Sequence, residues 1–166
     1  NLKEFKRLHG IMTKYIEDES GSFRKGEEGV FNGDKCIFMA PPARLVPEQM
    51  QNLFDWMKSS DDKVHPLILA SVFHYEFVFI HPFSDGNGRM ARLVHLWYLV
   101  QSGYQSALFI PFSSKIKKTK NEYYNAFSLI ESNEKISGKI DVTPFLIYFI
   151  NNVYNKLLMN KSSVEA

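Results

Sequence analysis

The sequence predicts an all-α protein carrying one small β-hairpin, on three observations. Apolar residues recur at steps of three and four over most of the chain, the spacing of a helix face. The segment from about Lys63 to Ile80 is apolar nearly all round, as in a helix at the centre of a bundle, and a second strongly apolar segment follows it closely. Asn32-Gly33-Asp34 lies between two short apolar runs, Val30-Phe31 and Cys36-Ile37-Phe38-Met39, which signals a hairpin with no further strands to join. The expectation is a single domain over residues 1–166, with about six helices around a central helix pair.

Leu2, Phe5, Leu8, Ile11, Met12 and Tyr15 predict an amphipathic first helix from Leu2 to Ile16, ended by polar Glu17 to Ser22. The hairpin, about residues 25–40, closes at Pro41-Pro42. Pro47 opens a helix through about Ser59, with Met50, Leu53, Phe54 and Met57 inward. Asp61-Asp62 is expected to cap the helix that ends at Ile80. After a break, Arg89 to Ser102 resumes as helix, with Gly103 as its stop. Another helix is expected from about Lys115 to Ser132. A last one starts at Asp141-Val142-Thr143-Pro144 and runs through Met159.

Composition narrows the function classes. The chain of 166 residues has 20 Lys plus Arg against 18 Asp plus Glu, a net charge of +2, which argues against a broad nucleic-acid-binding face. At 45% hydrophobic and 23% charged it is not disordered, and no apolar run is long enough for a membrane span. Cys36 is the only cysteine, so no disulfide framework exists and a reducing, cytoplasmic setting is expected. Cys36 itself reads as a small apolar filler. The start, Asn1-Leu2-Lys3-Glu4, lacks an initiator Met and reads as the beginning of a piece of a longer chain.

The break between the two apolar helices carries the chemistry. Irregular backbone inside a core is costly, since its amides need partners. Gly86 and Gly88 flank Asn87 and lead straight into a helix, a turn that aims unpaired N–H groups and the positive dipole end at one anion site. Arg89 and Arg92 share a face of the new helix and both reach that anion. Asp85 beside a phosphate calls for an intervening divalent cation. His81, at the exit of the preceding helix, suits a general base acting on a hydroxyl. Together they suit phosphoryl or nucleotidyl transfer.

The run His81-Pro82-Phe83-Ser84-Asp85-Gly86-Asn87-Gly88-Arg89-Met90-Ala91-Arg92 resembles the Fic (Fido) family signature, His-x-Phe-x-Asp-Gly-Asn-Gly-Arg-x-x-Arg, at every specified position. Gly21-Ser22-Phe23-Arg24 with the hairpin is similar to that family's flap, Glu122-Tyr123-Tyr124 to its following helix, and Asp141 to Phe145 to its closing one. The resemblance implies a Fic-like helical fold and a protein adenylyltransferase: AMP passes from ATP to a Ser, Thr or Tyr hydroxyl of a target protein, pyrophosphate leaves, and the same site also reverses the reaction. By the same resemblance His81 is the base and Asp85 holds Mg²⁺. Gly86, Asn87, Gly88, Arg89 and Arg92 bind the phosphates, Phe83 anchors the loop, and Tyr124 lines the adenine pocket. The flap residues Ile37, Phe38 and Met39 dock a target segment by strand addition. Gly rather than Lys at position 88 favours AMP transfer over phosphate transfer. Transfer of UMP, GMP or phosphocholine by the same site is the alternative, and a non-catalytic nucleotide- or protein-binding module the alternative of another class.

The remaining histidines read differently. His74 is a satisfied core residue rather than a metal ligand, and His9, His65 and His95 are given no role. Lys115, Lys117, Lys118 and Lys120 read as a solvated loop and helix start. The family's inhibitory pattern, Ser/Thr-x-x-x-Glu-Gly/Asn, is not found. Glu28 precedes Gly29, but Arg24 stands where Ser or Thr is required. Inhibition is therefore expected from an upstream helix or a separate antitoxin-like partner.

Overall fold

The computed structural model of the chain describes residues 1–155 and 157. Helix α3 (Pro66–Ile80) runs through the middle because two adjoining stripes of it are buried: Leu69, Phe73 and Phe77, and next to them Ala70, the polar His74 and Val78. Helix α4 (Asn87–Gln101) packs along it with Met90, Ala91, His95 and Leu99 buried, leaving Leu93 and Trp97 at the surface. Around this pair lie α1 (Leu2–Thr13), α2 (Val46–Ser60), α5 (Phe112–Lys118), α6 (Lys120–Ser137) and α7 (Thr143–Phe149). The all-α architecture with one hairpin is as expected.

The hairpin pairs β1 (Gly29–Asn32) with β2 (Lys35–Met39) antiparallel. Its turn residues are Gly33, at φ 62°, and Asp34, one position later than the Asn-Gly pair suggested. Val30 pairs with Phe38 but Phe31 with Cys36, so Ile37 is a bulged extra residue. The bulge breaks the in-out alternation and lets Ile37 and Phe38 both point inward. Phe38 packs on Phe79 of α3 and Phe127 of α6, which seats the hairpin on the helical body. Cys36 is exposed on this hairpin and fills nothing, contrary to expectation.

Several boundaries differ from the sequence expectation. Helix α1 ends at Thr13, not Ile16, where Lys14 turns extended at ψ 127° and Tyr15 follows left-handed at φ 69°; its buried stripe is Phe5, His9 and Thr13, while Ile11 and Tyr15 are exposed. Helix α3 starts at Pro66, not Lys63. His65 is its cap, accepting the Leu67 N–H at Nδ1, while Asp61 instead accepts from Tyr98. The expected helix over 115–132 is two helices, broken at Thr119, whose hydroxyl donates back to the Lys115 carbonyl and meets Tyr148 Oη. Helix α7 widens into a π-helical turn over Ile150–Tyr154, and Met159 lies outside the described residues. Among the described residues no helix is long and apolar enough to cross a membrane.

Candidate active site

The loop between α3 and α4 is held almost atom by atom. Helix α3 stops at His81, whose N–H still bonds the Phe77 carbonyl at 3.0 Å but whose backbone turns left-handed, φ 51° and ψ 59°. For a residue with a Cβ that conformation costs about 1–2 kcal/mol, so the surroundings must enforce it. The His81 carbonyl accepts from Arg24 Nε at 2.6 Å, and the Pro82 carbonyl accepts the Arg24 N–H at 2.9 Å. The Phe83 carbonyl accepts Asn87 Nδ2 at 2.6 Å, while Asn87 Oδ1 accepts the Phe83 N–H at 2.9 Å. His9 Nδ1 accepts the Gly21 N–H, so its Nε2 carries the proton and donates to the Asp85 carbonyl at 2.9 Å. Phe83, fully buried, stacks on the His9 ring with centroids 3.6 Å apart and planes 3° off parallel.

This scaffold leaves a cluster of unused donors. Met90 is the first residue of α4 whose N–H finds a helical carbonyl, that of Gly86, and no side chain caps the helix. The N–H groups of Asn87, Gly88 and Arg89 therefore point out of the helix end toward solvent, an anion-binding arrangement. Gly86 is required twice over: it sits at φ 81°, and a Cβ there would lie 3.0 Å from Met12 Cε and 3.2 Å from Thr13 Cγ2. At Gly88 a Cβ would lie 3.1 Å from Arg92 Nη1, so the glycine lets that guanidinium lie close over the first turn.

Arg92 has no hydrogen bond or ion pair to any described residue. Burial lowers its pKa and Arg89 adds to that, against Tyr123 and Tyr124, which pull it back up. A half-buried cation with no counter-charge, next to unpaired N–H groups, is poised for an anion. Arg89 instead pairs with Asp85, Nη2 to Oδ2 at 2.8 Å, while Asp85 Oδ1 accepts the Gly86 N–H at 2.6 Å. Both arginines line a cleft of about 510 Å³ whose far wall is Pro111 and Phe112. Asp85 is half exposed. A lone carboxylate beside a phosphate site suits Mg²⁺, which takes one or two protein carboxylates and completes its shell with phosphate oxygens and water. Among the described residues there is no cluster of three or more His, Cys, Asp or Glu that would form an all-protein metal cage.

One ring nitrogen of His81 is left with its lone pair free. Its Nδ1 faces the Val78 carbonyl at 3.3 Å; a carbonyl only accepts, so Nδ1 carries the proton and Nε2 keeps its lone pair. Burial lowers the His81 pKa. The bond to Val78 opposes this, and the nearby Arg24 charge lowers it further, so the ring is neutral at pH 7.

The structure thus brings together His81, Asp85, Gly86, Gly88, Arg89 and Arg92. It ties both side-chain amide atoms of Asn87 to Phe83, so that side chain clamps the loop. Tyr124 packs edge-on against Tyr123 and feels the Arg92 charge. Of the hairpin residues, Ile37 and Phe38 are buried in the core and Met39 is 61% exposed. His74 is indeed a core residue: its Nδ1 meets His95 Nδ1 and its Nε2 meets Tyr123 Oη, each at 3.1 Å. Two residues that position the loop escaped the sequence reading, His9 and Arg24. The signal available for His9 was its place on the Phe5-His9-Thr13 stripe, a polar residue on a buried face.

Comparisons with known proteins bear on the family and the fold. The model of the Fic/DOC family matches residues 1–99, from α1 through most of α4. The chain is 41% identical over 130 residues to the protein adenylyltransferase Fic of Nematostella vectensis, covering 77% of this chain and 26% of that protein. It is 30% identical over 159 residues to that of Drosophila willistoni, covering 95% and 28%. It therefore spans little more than a quarter of the length of these relatives. Among solved structures, a Fic family protein from Desulfovibrio desulfuricans superposes with a TM-score of 0.82 at 31% identity, covering all of this chain and 48% of that one. A Fic domain-containing signalling protein from Bacteroides thetaiotaomicron gives 0.73 at 25%, covering 92% and 58%.

Proposed function

This chain belongs to the Fic/DOC family, and on that premise we propose that it transfers AMP from ATP to a Ser, Thr or Tyr hydroxyl of a target protein. The observation that carries the proposal is that one short, tightly held loop joins a histidine with a free lone pair, His81 Nε2, to a helix start with unpaired N–H groups and an Arg92 that has no partner among the described residues. His81 Nε2 takes the hydroxyl proton as the oxygen attacks the α-phosphorus. The bond from that phosphorus to the bridging oxygen breaks, and pyrophosphate leaves with the electron pair. The N–H groups of Asn87, Gly88 and Arg89 hold phosphate oxygens, and Arg92 faces the outer phosphates with Arg89. Asp85 would hold Mg²⁺, its pairing with Arg89 giving way to the ion. The ion when bound offsets phosphate charge and eases departure of pyrophosphate. In the reverse direction water attacks the same phosphorus and loses a proton to solvent, the bond from phosphorus to the target oxygen breaks, and protonated His81 returns the proton to the departing hydroxyl as AMP is released.

The exposed edge of the hairpin would pair with an extended target segment through main-chain bonds, and Met39 would supply the side-chain contact. Arg92 has no acidic partner among the described residues, which supports activity of the chain as it stands. An inhibitory helix from an upstream segment, or a separate antitoxin-like protein, would act by bringing a carboxylate to that guanidinium. The test is incubation with labelled ATP and Mg²⁺, followed by mass spectrometry of the chain and of added proteins. A covalent AMP adduct is expected. Adducts from UTP, GTP or a CDP-linked donor but not from ATP would replace the donor, and no adduct from any of them would overturn the reaction.

A further inference from the structure

We infer that Arg24 is a positioning residue that couples the hairpin to the catalytic base, so that seating a target segment and placing His81 are one geometric event. The inference rests on the reading of His81 as base given above. Arg24 is buried, 3% exposed, and among the described residues it forms no ion pair, although the charges of Glu27 and Glu28 act on it. Its guanidinium donates instead to four backbone carbonyls. Two belong to the end of α3: Nε to His81 at 2.6 Å and Nη2 to Ile80 at 3.2 Å. The other two are the hairpin's roots: Nη1 to Gly26, before β1, at 2.8 Å and Nη2 to Pro41, after β2, at 2.5 Å. Its backbone N–H adds the bond to Pro82.

This arrangement answers two physical problems at once. The last carbonyls of α3 lack helical partners and form the negative end of the helix dipole, where a buried cation is favourable. The left-handed backbone of His81 needs enforcement, and among the described residues its ring has a single hydrogen bond to orient it, the 3.3 Å one to Val78. The position of Nε2 is thus inherited from the backbone that Arg24 grips. Across the same guanidinium, any shift of Gly26 or Pro41 as the hairpin takes up a strand is transmitted to the His81 carbonyl. The planar fork is what allows four acceptors in divergent directions, and a lysine ammonium on a flexible stem does not reproduce it.

The test uses the full protein with labelled ATP and Mg²⁺, self-modification as the readout of transfer, and a fluorescent ATP analogue for nucleotide affinity. Arg24→Lys should lower the transfer rate on the order of a hundredfold, the scale of a misplaced catalytic group, with analogue affinity changed less than about twofold. Adding Arg24→Lys to His81→Ala should lower the residual rate no further, since both act through one nitrogen. Transfer by Arg24→Lys at the parental rate, loss in proportion to analogue affinity, or additivity with His81→Ala would each overturn the inference. Amide hydrogen exchange of the unsubstituted protein needs no variant. The N–H groups of Arg24, Ala40 and His81 should open as one cooperative unit, and independent opening overturns the coupling whether or not the variants fold. Absence of transfer by the parent protein would strike the proposed reaction itself, and the exchange result would then decide the coupling alone.

Discussion

His74 and His81 stand seven positions apart, one in the body of α3 and one at its end, and their surroundings assign them opposite work. Around His74 every nitrogen has a partner. Nδ1 faces Nδ1 of His95, and the outer nitrogens of the pair meet Tyr123 Oη at 3.1 Å and Tyr154 Oη at 2.5 Å. Tyr154 continues to Ser71, so the chain of hydrogen bonds ties α3, α4, α6 and the π-helical turn into one core. His81 has one ring nitrogen bonded and one left over, on a backbone bent into the left-handed region. A histidine becomes available for chemistry when the fold withholds a partner from it, and structural when the fold supplies both.

Removing each ring tests that division. On the proposed reaction, His81→Ala should reduce AMP transfer by about 10²–10⁴-fold, the usual contribution of a general base, while nucleotide binding persists, because the proposed anion site is built from α4. Rates of labelled transfer beside titration of a fluorescent ATP analogue check this. Equal loss of both would mean that His81 holds the site together rather than acting on the acceptor.

The contrast also explains what could be read from residues in order. The helix pair, the hairpin and the run from His81 to Arg92 were legible because each depends on local periodicity or on residues close in the chain. Arg24 was legible only as part of a stretch resembling the family's flap. Its four acceptors lie at Gly26, Pro41, Ile80 and His81, and nothing near Arg24 in sequence announces the distant ones. His9 was hidden for the same reason, with partners at Gly21 and Asp85. The side chain of Asn87 reads as a phosphate ligand from the family resemblance alone. That it closes the loop onto Phe83 depends on the turn geometry itself. The break at Thr119 was missed because the hydroxyl that bends the chain there finds Tyr148 on another helix.

Acid should divide the two kinds of histidine by stability. Burial pushes the His95 pKa down to about 3 and holds His74 well below its ordinary value, with the neighbouring His95 adding to that. A histidine whose folded pKa is lowered binds its proton more readily when unfolded, so stability is complete above about pH 6.5 and falls as pH drops below it. At pH 5, His95 alone should remove about 2 kcal/mol, and His74 and the lowered His81 act with the same sign. Denaturant melts at pH 7 and pH 5 measure this. A His95→Phe variant, less stable at pH 7 because two partners lose their bonds, should show a shallower dependence, and an unchanged slope would remove His95 from the account.

The smallest effect is the most local. If His81 is held left-handed by its neighbours rather than by preference, position 81 stores strain that position 74, in regular helix, does not. Glycine adopts positive φ without the Cβ penalty, whereas alanine pays it as histidine does. His81→Gly should therefore be more stable than His81→Ala by about 1 kcal/mol, reduced by the greater chain entropy glycine brings to the unfolded state. At position 74 the order should reverse, with His74→Ala the more stable, since glycine in a helix interior costs about 1 kcal/mol against alanine. Thermal melts of the four variants in pairs compare the two positions under one set of conditions. A preference for alanine at both would mean that the bend at His81 relaxes once the ring is gone, and that the imidazole itself maintains the left-handed turn.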